Sequence, residues 1–295
     1  MSVVSITERD EKNKKRKLLF SKLFRIVVAL LVIVLIVGVV LNAIYIINAY
    51  RDSEIKVGEK ENIVVDRDVV TSLDVEIEAI DFLVKKEGNI FSLSKHEYIE
   101  FAINNDRLVI REKGRSWFER VEGSVLLTVP EDYDFNFVNV ESEGGKIELN
   151  NLNVVDLDLE LGAGTVILNN VNVTRKMDIE NGVGKVNIKK GKYNNLICKL
   201  NVGSLKFFGE LTGNSEFETK FGSSDIKLIG NSNVYSVRGF KGLGDFIIGN
   251  YIINEDTIYG TGKTKVIVNG GVGGVVVKFV NEDGKVVDDI YRPVE

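Results

Sequence analysis

The chain is poor in the residues that carry most chemistry. Its 295 residues include one Cys, one His, one Trp and two Pro. A single Cys closes no internal disulfide, and one Cys with one His cannot complete a Cys/His zinc site. The only His, His96, stands in a polar turn far in sequence from any nucleophile, so it reads as a solvated surface residue and not a general base. Cys198 falls at a position that other copies of a repeat fill with Val140, Leu159 and Ile179, and reads as a small core hydrophobe. The Gly-x-Gly stretches lack the six-residue dinucleotide fingerprint and any following Lys-Ser/Thr, which leaves them as turns. The acidic run Asp156, Asp158, Glu160 lacks the nonapeptide calcium repeat and reads as a wet strand face. No catalytic residue, cofactor or metal site is therefore expected, and the chain does not read as an enzyme. A composition of 44% hydrophobic and 27% charged residues excludes a mainly disordered chain.

Charge of either sign is missing from residues 26–50. Within that stretch 26–41 reads IVVALLVIVLIVGVVL, with 14 of 16 residues Val, Ile or Leu. The 22 uncharged residues of 26–47 would span roughly 33 Å as a helix, enough for a bilayer core of about 30 Å. This apolar run is longer than a signal-peptide core, and Ile47 occupies the place where a small residue would precede cleavage at Ala49. An uncleaved transmembrane helix is the expectation. The first 25 residues hold eight basic and three acidic side chains, a net of +5. The whole chain is −5, so residues 51–295 carry −10. A basic flank on the cytoplasmic side puts the N-terminus inside and the acidic part outside. The basic block carries no groove-reading motif, so nucleic acid is not an expected partner; contact with anionic lipid is the sharper alternative to a topology signal.

Glycine is plentiful, and 24 of the 28 lie at or after Gly123. From residue 135 a short pattern recurs around a small residue: Gly145, Gly164, Gly184, Gly203, Ser224, Gly244 and, more loosely, Gly262. The spacing is about 20 residues. Two and four residues after the first six anchors every position is apolar, from Ile147 and Leu149 to Phe246 and Ile248. Polar residues alternate with them, as in strands with one buried face. Asn150-Asn151, Asn169-Asn170 and Asn194-Asn195 punctuate a second corner, where Asn tolerates the left-handed region. The pattern predicts an all-β fold, a single-rung-repeat β-solenoid of about 20 residues per repeat preceded by one N-terminal transmembrane helix, with an antiparallel meander as the alternative. The expected parts are a cytoplasmic basic tail (1–25), the transmembrane helix (26–47), a linker (48–72), a strand-rich segment (73–134), solenoid repeats (135–280) and a C-terminal cap (281–295). Strands are expected at 73–84, 108–111 and 123–130, with turns at 94–96 and 104–106.

A strand-rich start, a strand ending in Val-Pro (Leu126-Leu127-Thr128-Val129-Pro130) with Trp117 before it, and apolar-x-apolar repeats around Gly together resemble the bacterial putative-adhesin family of β-strand-repeat domains of unknown function. The resemblance covers residues 73–279 and implies a membrane-anchored protein of the Gram-positive cell envelope, of the kind associated with envelope stress. It implies no catalytic residues. Three functional readings follow. The first is a non-catalytic binding or regulatory module whose partners are the bilayer through 26–47 and another membrane protein, a wall component or a cationic peptide. The second is a self-associating surface scaffold. The third is a glycan-active β-helix enzyme.

Overall fold

The computed structural model describes residues 59–287 except 64, 67, 96, 97, 114–122 and 255. These belong to one compact unit, 53–295. The basic tail, the 26–47 span, the linker up to residue 58, His96, Trp117 and residues 288–295 lie outside the described residues. Among the described residues no helix is long and apolar enough to cross a membrane.

All regular structure described is β. The strands are β1 (Glu59–Asn62), β2 (Ser72–Ile77), β3 (Asp81–Lys86), β4 (Ser92–Lys95), β5 (Ile99–Asn104), β6 (Arg107–Glu112), β7 (Ser124–Val129), β8 (Phe135–Asn150) and β9 (Asn153–Asn169). They continue as β10 (Asn172–Asn194), β11 (Leu196–Thr212), β12 (Asn214–Ile229), β13 (Tyr235–Phe240), β14 (Phe246–Ile248), β15 (Tyr251–Ile252), β16 (Thr257–Tyr259), β17 (Thr264–Val272) and β18 (Val275–Val280).

The long strands β8 to β12 pair in parallel, each laid on the next with a 19- or 20-residue offset. Parallel pairing overturns the antiparallel meander for this part of the chain. Each rung bends where a glycine takes positive φ, and Gly145, Gly164, Gly184 and Gly203 stack in register. A second corner is turned by Asn151 (φ 56°), Asn170 (φ 52°) and Lys190 (φ 58°). Side-chain amides bridge the rungs there: Asn169 Nδ2 donates to Asn150 Oδ1 at 2.6 Å and Asn170 Nδ2 to Asn151 Oδ1 at 3.0 Å. Stacking like on like keeps these amides paired along the ladder.

Alternation sends every second side chain inward, so the core runs as columns. One is Val140, Leu159, Ile179, Cys198, Phe217, Val268; another is Leu149, Leu168, Ile188, Phe207, Ile226, Val277. All of these side chains are buried in one cluster. Phe207 and Phe217 meet edge to face at 5.1 Å, which shows the two halves of the rungs packing against each other across the core. Full burial of one such aliphatic side chain contributes about 1.5–3 kcal/mol.

The register corrects one anchor. Gly222, and not Ser224, lies over Gly203, while Ser224 stacks on Leu205 and points inward. A hydroxyl survives there because Thr219 Oγ1 and Ser224 Oγ hydrogen-bond to each other at 2.8 Å. Phe217 accordingly lies over Cys198, and Ser215, over the end of β11, accepts from the Leu196 amide at 3.2 Å.

The order of rungs in space departs from their order in sequence at both ends. β2 and β3 form a rung that lies directly on β8, so the parallel stack begins before residue 135. The expected single strand at 73–84 is broken by a turn at residues 78–80, the counterpart of the glycine corner. β6 and β7 lie outside β2 and β3, and antiparallel β5, β4 and β1 follow. Ser94 belongs to β4 and not to a turn. At the other end β17 and β18, last in sequence, slot between β12 and the β13–β14 rung. The residue that continues the glycine column after Gly222 is therefore Gly273, with Gly244 beyond it, and Gly262 lies outside the column against Val234 and Tyr235. The segment after residue 280 turns back on β18, with an antiparallel bridge from Val280 to Val286; the far end of the stack is closed by β15 and β16.

Candidate binding surface

Outward side chains segregate by charge about the glycine corner. On the front side, between the Asn corner and the glycine corner, one column reads Glu76, Glu141, Glu160, Glu180, then Lys199 and Glu218. Beside it run Asp74, Asn139, Asp158, Asp178, then Ile197 and Glu216. On the back side, past the glycine corner, Lys146, Thr165, Lys185 and Ser204 stack, and Asn150, Asn169, Lys189, Phe208 follow nearby, with Lys227 beyond. The front is acidic and the back is basic. The signal was present in the sequence as acids before each anchor and lysines after it, yet a net charge of −10 for the whole segment hides it.

A bulge in β10 between Val173 and Lys176 pushes Thr174 and Arg175 outward at the Asn-corner edge of the front. Arg175 Nε donates to Asp156 Oδ1 at 2.7 Å, and its second nitrogen pairs with Oδ2, a two-pronged contact. Lys176 pairs with Asp178. Between these pairs opens a groove of about 460 Å³ with Phe137, Leu157 and Ile197 as its apolar lining and Asp156, Asp158 and Asp178 along it. Burial, then the neighbouring Asp178 carboxylate, pushes the Asp158 carboxyl above the ordinary range; Lys176 opposes this, and Glu160 and Glu141 add to it. The arrangement can hold a cationic group that rests its apolar part on Phe137 or Ile197.

The sign of the Asp158 shift sets a pH dependence. A carboxyl whose folded pKa is raised contributes stability below its ordinary unfolded value, and that contribution is lost as pH rises through the folded pKa. Asp158→Asn should therefore stabilise the protein at neutral pH, with the gain shrinking to nothing near about pH 3. Urea unfolding of wild type and variant across that range checks it, and a gain that is flat with pH would show that charge is not the cause.

The remaining residues singled out from sequence are structural in placement. Cys198 is fully buried, and burial pushes its thiol up to about 12, which keeps it from acting as a nucleophile at neutral pH. Asp81 accepts from the Lys146 amide at 2.9 Å beside the Gly145 corner, and burial pushes its carboxyl up.

No family model matches the chain, and no curated protein matches it. Two solved structures are similar over most of its length. One is described as a putative cell adhesion protein from Clostridium sporogenes, 16% identical, covering 75% of this chain and 99% of that one with a TM-score of 0.30. The other is described as a putative adhesin from Bacteroides fragilis, 12% identical, covering 74% of this chain and 96% of that one with a TM-score of 0.33. Likeness at this level assigns neither family nor activity.

Proposed function

We propose that the chain is a single-pass, membrane-anchored β-solenoid of the bacterial cell envelope, N-terminus in the cytoplasm, acting as a non-catalytic binding or regulatory module. Its acidic front takes a cationic ligand, a peptide or a charged wall component, in the groove beside Asp158 and Asp178. The in-register parallel rungs support the solenoid reading, and the uncharged 26–47 run with its basic flank supports the anchor. The stacked carboxylates are the single observation that carries the binding role. Like charges placed directly opposite on neighbouring strands are destabilising, so Glu141, Glu160 and Glu180 in one column work against the fold. A surface serving stability alone would alternate their signs, as Glu180 and Lys199 do one rung further on at 2.8 Å. Growth of a scaffold from the ends is disfavoured, because short antiparallel strands cover both and offer no continuing parallel template.

The test is binding of oligolysine to the full-length protein in detergent, titrated at rising salt. Binding should weaken steadily with salt and be lost in the Asp156→Asn, Asp158→Asn, Asp178→Asn triple variant. Salt-independent binding, or full retention in the triple variant, would overturn the assignment.

A further inference from the structure

An apolar ridge runs down the glycine corner, one residue before each corner glycine. Ala163 pairs with Val183, Val183 with Val202, Val202 with Phe221, Phe221 with Val272, and Val272 bridges to Leu243. The residues at the far end are large and open to solvent: Phe221 is 55% exposed, Val272 45% and Leu243 74%. The reordered rungs create this ridge, since Val272 joins Phe221 to Leu243 only because β17 lies between β12 and β13. Five steps of about 4.8 Å make it roughly 24 Å long. Aligned exposed apolar side chains of this kind mark a contact surface.

We infer that the ridge is the seam of a parallel homodimer, two copies of this chain related by a two-fold axis along the stack. Rotation by half a turn about that axis exchanges the flanks. The acidic front of each copy is laid against the basic back of the other, rung by rung, with Glu141 near the other copy's Lys146 and Glu180 near its Lys185. Each ridge residue meets its own counterpart, so Phe221, Val272 and Leu243 cover one another. An antiparallel pair centred on Val202 instead sets Leu243 against Gly144 and leaves its apolar surface uncovered. A strip of roughly 24 by 20 Å buries on the order of 500 Å² on each copy, below the roughly 800 Å² of a stable complex, so the dimer is reversible. The groove at Asp158 lies at the other edge of the front, and the dimer leaves the cationic-ligand reading standing or falling by itself.

Sedimentation equilibrium of the full-length protein in nonionic detergent tests the seam. Phe221→Glu with Leu243→Glu, both at exposed positions, should weaken dimerisation by at least about tenfold while the circular dichroism spectrum stays unchanged. Glu180→Lys alone should weaken it, and adding Lys185→Glu should restore it, because in a parallel pair each residue 180 faces residue 185 of the other copy. A monomer at every concentration overturns the proposal. So does a dimer indifferent to the ridge variants, which would assign the association to another part of the chain. Binding of zwitterionic vesicles that is lost in the ridge variant, with no dimer, would assign the ridge to a lipid surface and overturn it equally.

Discussion

Gly203→Ala unfolds the middle of the stack. The residue sits at φ 141°, where an L side chain is strained, and an added Cβ would fall inside van der Waals contact of the Gly184 carbonyl oxygen. That oxygen is backbone, held by pairing on both sides, and has nowhere to move without opening the ladder. Strain of about 1–3 kcal/mol at such a φ adds to the steric cost, so a loss above about 4 kcal/mol is expected. Gly274→Ala is the control. Gly274 lies two rungs away in the stack, and an added Cβ there meets nothing, so a change within about 1 kcal/mol follows. Urea melts of the two variants measure the contrast, and equal midpoints would remove the glycine column from the account of stability.

Ending the chain at residue 263 costs as much as ending it at residue 229. In a simple stack, loss of the last rung frays only that end, because each repeat touches its neighbours alone. Here the last strands in sequence are not the last in space. β13 pairs with β16 and β17, and β14 with β15 and β18, so without β17 and β18 the whole 230–263 segment has no parallel partner. The buried Tyr235 and Tyr259, both stacked on Phe279, lose that packing together. The two truncations should show the same urea midpoint and the same lowered m-value, and protease should cut freely within 230–263 in the longer one. A longer chain that is clearly more stable, with 235–259 protected, would mean that β13 to β16 dock on β12 without the intervening rung.

Much of this architecture was legible before any coordinates. Alternation in 138–149, 157–168 and 177–188 identifies strands, and a repeat near 20 residues with apolar positions in register implies stacking, because a one-residue slip would turn every core side chain outward. The Ser224 anchor was misread for a physical reason. Ser is small and sits near a corner, so it passes as a turn residue, while Gly222 two positions earlier carries the positive φ; only the partner Thr219 shows why a hydroxyl belongs inside. Gly262 failed similarly, since its neighbours resemble a repeat while its contacts do not.

The sequence by itself determined strand content, the period of the rungs, which face of each is wet and where glycine is obligatory, because all of these follow from side chains a few residues apart. Only the tertiary structure decided which rung lies on which. Every rung presents the same ladder of backbone donors and acceptors, so local pattern cannot choose between Val272 and Leu243 as the neighbour of Phe221. That choice rests on contacts some fifty residues apart, as between Phe221 and Val272, and it is what assembles the charged columns and the apolar ridge from residues that the chain keeps separate.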